Sequence, residues 1–84
     1  MERMVVFIDG VVLHNRTLKV EVPDRPGAFM TADVRDPIFD QAPNIYTSAI
    51  GSSLEVEAKA VRRADGELAK LYILNAGPLT ARAA

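Results

Sequence analysis

The sequence predicts a mainly β domain with one short helix, closed into a small five-stranded barrel. Three observations carry that expectation. Residues 17–22 and 53–60 alternate apolar and polar side chains, the period-2 pattern of strands buried on one face. Asp-Gly pairs at residues 9–10 and 65–66 lie between apolar runs, where tight turns or bulges belong. Only one stretch, around Ile45 and Tyr46, has helical spacing. With 84 residues and 49% apolar content, the chain has material for one core and not for two.

The elements follow in order. Residues 4–8 and 11–14 are β-branched runs around Asp9-Gly10. They leave two readings open, a hairpin with a type I′ turn or one long strand bent by a bulge at Gly10. A polar turn at Asn15 and Arg16 leads into residues 17–22, where Leu18, Val20 and Val22 face one way and Lys19 and Glu21 the other. Pro23, Pro26 and Gly27 make the next segment a loop. Residues 28–35 are a strand candidate with Met30, Ala32 and Val34 on its inner face.

Ala42, Ile45, Tyr46, Ala49 and Ile50 then fall at i, i+3, i+4, i+7 and i+8, one stripe of a helix of about ten residues. Asp40 is the expected N-cap, with Pro43 in the first turn and Gly51 just past the end. A shorter turn before it is capped by Asp36, with Pro37 at its first position. In residues 53–60, Leu54, Val56, Ala58 and Ala60 point inward, while Glu55, Glu57 and Lys59 point out. Opposite charges on this row are expected to pair across to Lys70. The turn at residues 63–66 leads into residues 68–74, apolar on both faces and read as a central or doubly covered strand. Asn75 closes the domain, so residues 1–75 form one unit and residues 76–84 a tail opened by Gly77-Pro78.

Three strands, a helix and two strands resemble the OB-fold in element order (β-β-β-α-β-β). No family motif accompanies that order, so it implies a barrel and no activity. The alternatives are an SH3-like barrel, which the helical pattern opposes, and a strand-exchanged homodimer, which would cover the doubly apolar strand.

Composition narrows the function. Ten Lys and Arg against eleven Asp and Glu give a net charge of −1, with no global field to draw in nucleic acid. The absence of cysteine removes disulfides, thiolate nucleophiles and zinc fingers. The glycines are isolated and form no phosphate-binding loop. His14, the one histidine, ends a strand beside a turn and reads as a surface residue. Asp33, Asp36 and Asp40 match no cation-loop spacing, so no metal site and no cofactor are expected. No signal segment or membrane span precedes or interrupts the pattern, and the expected location is the cytoplasm.

The expected function is therefore non-catalytic. It is a binding protein for a macromolecule, with protein or a second copy of itself ranked first, of the accessory-subunit or antitoxin and inhibitor kind. Leu68, Tyr72 and Leu74 are the candidate partner or oligomer face. The alternative is single-stranded nucleic acid on an OB-like face carrying Lys19, Arg25, Phe29 and Arg35.

Overall fold

The computed structural model describes residues 2–21, 25–41 and 43–77. The strands are β1 (Glu2–Val12), β2 (Thr17–Glu21), β3 (Phe29–Val34), β4 (Ser53–Arg62) and β5 (Leu68–Gly77). A four-residue 3₁₀ turn (Pro37–Asp40) and a four-residue helix, α1 (Ile45–Ser48), join β3 to β4. The strands close into one barrel in the order β1-β2-β3-β5-β4. All pairs are antiparallel except β3 with β5, which run parallel through Asp33↔Tyr72 and Val34↔Ile73. Closure occurs within a single chain, through a short β3–β5 seam of two residue pairs.

Each strand sends alternate residues inward. Val6 and Ile8, Leu18 and Val20, Ala32 and Val34, Leu54, Val56 and Ala58, and Leu71 and Ile73 fill the interior. Each large aliphatic side chain so buried stabilises the barrel by about 1.5–3 kcal/mol. Phe39, Tyr46 and Ala49 from the β3–β4 connection join the same core.

Of the two readings for the first segment, the bent strand is the observed one. β1 pairs with β4 from Glu2 to Phe7 and with β2 from Phe7 to Val12. Its register with β2 steps from Ile8↔Val20 to Gly10↔Lys19, so Asp9 is the extra residue of a bulge. That bend lets one long strand serve both sides of the barrel. Past Phe7, Ile8 bonds with the backbone of Gly51 and Ser52, at 2.8 and 2.9 Å.

The turns obey local chemistry. Arg25-Pro26-Gly27-Ala28 closes with an Ala28 N–H to Arg25 carbonyl bond of 3.0 Å, with Gly27 at φ +88°. Proline then glycine at the two central positions is the type II pattern. Gly66, at φ +87°, ends the β4–β5 turn that begins at Arg63.

The helix differs most from its expectation. It is four residues long, and Asn44 caps it instead of Asp40. The Asn44 side chain accepts from the N–H groups of Tyr46 and Thr47 at 2.9 and 3.0 Å. Thr47 Oγ1 accepts from the Asn44 N–H at 3.0 Å in return. Asp40 instead ends the 3₁₀ turn and pairs with Arg16. Ile50 is 51% exposed, so the apolar stripe stops at Ala49. The shorter turn is as expected, with Asp36 as its cap and Pro37 first. Ala42, the start of the expected stripe, lies outside the described residues, as do Val22 to Asp24 and residues 78–84. β5 extends through Ala76 to Gly77, two residues beyond the expected end.

Candidate functional site

The site grows out of the end of β3. The Arg35 N–H donates to the Ile73 carbonyl at 2.7 Å, carrying the parallel ladder one residue past Val34. The next residue, Asp36, is buried and held twice. Its carboxylate accepts from the Ile38 N–H at 3.1 Å and from the Tyr46 hydroxyl at 2.7 Å. Burial first, then the Asp36 hydrogen bond and charge, push the Tyr46 hydroxyl well above the usual tyrosine range. Tyr46 also packs on Phe39 with ring centres 5.7 Å apart. Arg35 thus leaves a pinned backbone with its side chain outside the barrel.

There it meets β5, whose outward row is Lys70, Tyr72 and Leu74. The Arg35 guanidinium carbon lies 5.0 Å from the centre of the Tyr72 ring, and Lys70 Nζ lies 6.0 Å from it. Lys59 on β4 is the cross-strand partner of Tyr72, and Val61 is the partner of Lys70. Arg35, Lys59, Val61, Tyr72 and Leu74 line a shallow concavity of about 440 Å³. A second concavity of about 260 Å³, lined by Asn15, Arg16, Asp33, Val34 and Arg35, adjoins it across Arg35.

Two bulges in β5 shape this face. The register with β4 steps from Asn75 to Ile73 and from Lys70 to Leu68, leaving Leu74 and Ala69 as extra residues. Each bulge turns two successive residues outward and reverses the inside–outside alternation beyond it. Leu68 therefore packs against the core, while Tyr72 and Leu74 stay on the outside. The expected trio of Leu68, Tyr72 and Leu74 is split, and Leu68 leaves the face.

The expected nucleic-acid quartet is split as well. Lys19 and Phe29 do meet, with the ammonium 5.9 Å from the ring centre. Arg35 sits with Tyr72 instead. Arg25 forms an ion pair with Glu67, near the β4–β5 turn. Lys59, Lys70 and Val61 were missed, because their meeting with Tyr72 depends on a register that the local pattern does not contain.

Charge pairing sets the face apart. Ion pairs among the described residues include Arg3–Glu57, Arg16–Asp40, Arg25–Glu67 and Arg62–Glu2. None of them uses Lys19, Arg35, Lys59 or Lys70, and three of these four surround Tyr72. A cation over an aromatic ring at the protein surface gains only about 0.5–1 kcal/mol, so its charge remains available to a ligand. The expected pairing of β4 carboxylates with Lys70 does not form. Glu57 pairs with Arg3 and accepts from Asn75 at 3.4 Å, and Lys70 faces Val61.

The other candidates lie elsewhere. His14 is exposed on the β1–β2 turn. Asp33 is on the outer row of β3, whereas Asp36 is buried against Tyr46 and Asp40 is turned to Arg16. The three do not converge. Among the described residues, no group of three or more His, Cys, Asp or Glu side chains could hold a metal ion. No helix among them is long and apolar enough to cross a membrane.

A family model described as "Family of unknown function (DUF7947)" matches residues 1–77. No curated protein and no solved structure matches the chain.

Proposed function

The chain belongs to that family, to which no activity is assigned, and we propose from its own geometry that it is a non-catalytic binding barrel. Its working face is the outside of β5 with the flanking residues of β3 and β4, and its ligand is a macromolecule. The observation that carries this reading is the concavity around Tyr72. A half-buried aromatic ring and two exposed apolar side chains, Val61 at 39% and Leu74 at 37%, lie among cations that the four ion pairs named above do not use. Tyrosine and arginine at the centre of an exposed apolar patch are the side chains that most often carry binding energy.

A photo-crosslinking side chain placed in cells at Leu74, and in parallel at Asp9 on the β1 bulge, tests the assignment. Discrete adducts should form from position 74 and be lost when Tyr72→Ala is added. Position 9 should give background only. Equal adducts from the two positions, or adducts indifferent to Tyr72, would overturn the face.

A further inference from the structure

We propose that the ligand of this face is single-stranded nucleic acid, an inference that rests on the assignment of the Tyr72 face as the binding surface. A nucleotide combines a flat base with an anionic phosphate a short distance away. Tyr72 supplies one flat surface, and the Arg35 guanidinium, 5.0 Å from it, supplies a second on which a base can lie. Lys59 stands across the strand pair and Lys70 lies 6.0 Å from the ring, so cations flank the platform. An acidic peptide would satisfy those charges but would leave the ring without a matching face. A duplex hides its base faces, and a single strand exposes them.

The surroundings extend the track. The adjoining concavity adds Asn15 beyond Arg35, together with Arg16, whose charge is already paired with Asp40. Along the outer row of β3, Phe29 lies four residues from Asp33, about 13 Å at strand rise. Phe29 is 44% exposed and its ring carries Lys19 at 5.9 Å, repeating the ring-and-cation pairing. Asp33, beside Tyr72 in the β3–β5 ladder, and Glu21, the cross-strand partner of Phe29, are carboxylates on this surface; Asp33 lines the adjoining concavity and not the one around Tyr72, and Glu21 accepts from the Gly27 N–H. Global net charge is −1, so the attraction is local. Affinity should accordingly be modest and confined to low and moderate salt.

The test is fluorescence anisotropy of the full chain with labelled 12-nucleotide DNA and RNA single strands, a 12-base-pair duplex, and heparin. Single strands should bind at low salt, with log affinity falling against log salt at a slope of about −2, from three phosphates at about −0.7 each. Tyr72→Ala should weaken binding about tenfold, while Tyr72→Phe retains it. The triple variant Arg35→Gln, Lys59→Gln, Lys70→Gln should flatten the salt slope. Matching thermal melts for each variant show that it is folded. Absence of single-strand binding at low salt overturns the inference. So does duplex or heparin binding of equal strength that ignores Tyr72→Ala. If Tyr72-dependent adducts still form from position 74 in cells and are protein, the face stands and the nucleic-acid ligand fails. If those adducts are also lost, both readings fail together.

Discussion

Tyr46 has no exposed surface, and its hydroxyl donates to the Asp36 carboxylate at 2.7 Å. That bond ties the helical connection to the end of β3, one residue from Arg35. Removing the hydroxyl leaves a buried carboxylate oxygen short of a donor, and Tyr46→Phe should cost about 2 kcal/mol in urea unfolding. The same group predicts a pH dependence. Its pKa is raised in the folded chain above the value near 10 that an unfolded tyrosine has. The folded state therefore keeps a proton that the unfolded state releases. Stability from this residue is full below about pH 10 and is lost as pH rises beyond it. Tyr46→Phe should abolish that part of the alkaline decline, as measured by unfolding at pH 8 and pH 11. Arg16 shows a second residue-scale device. It is the one non-glycine residue with positive φ among those described, at +55°. Its side chain reaches Asp40, the Asp36 carbonyl at 3.2 Å and the face of Phe39 at 5.5 Å. Those contacts offset a backbone cost of about 1–2 kcal/mol.

At the scale of elements, α1 is a helix made by its cap. Four residues are too few to be stable by propensity. The Asn44 side chain accepts from two N–H groups and also donates to the Phe39 and Gln41 carbonyls, at 3.2 and 2.7 Å. It thereby joins the 3₁₀ turn to the helix. Asn44→Ala removes all four bonds and should lower stability by about 2 kcal/mol at unchanged denaturant slope. Asn44→Asp, which keeps the acceptor and loses the donor, should fall between. The strands depend on bulges in the same way. Asp9 in β1 bends the barrel wall, and Ala69 and Leu74 in β5 decide which side chains reach the outside.

At the scale of the molecule, closure changes the argument for self-association. The apolar run at residues 68–74 suggested a strand in need of a cover from a second copy. The barrel buries Leu71 and Ile73 within the chain and leaves Lys70, Tyr72 and Leu74 outside. A twofold contact through that face would set Arg35, Lys59 and Lys70 against their own copies, and like charges held together are unfavourable. Light scattering on a sizing column should give the 9.1 kDa monomer at low salt. A stable dimer that Leu74→Asp dissociates would reverse this and make the face a self-interface.

Much of the architecture was legible along the chain. Strand alternation and turn chemistry act over two to five residues, so Leu18, Val20, Leu54 and Val56 declare their inward side. The Pro26-Gly27 turn and the Asp36-Pro37 start declare themselves likewise. The helix was legible in its buried residues, Tyr46 and Ala49, but not in its length. Asn44 and Asp40 are both competent caps, and Arg16, distant in sequence, takes Asp40 away. The site was half legible. Tyr72, Leu74 and Arg35 stand out by type, but the local pattern puts them in two different groups. What joins them to Lys59 and Lys70 is the parallel β3–β5 ladder and the bulged β4–β5 register. Both are settled by long-range pairing as the barrel closes. Because side chains alternate every residue, each bulge moves all beyond it to the opposite face. A local pattern therefore identifies which residues belong to strands, and only the closed structure decides which of them meet.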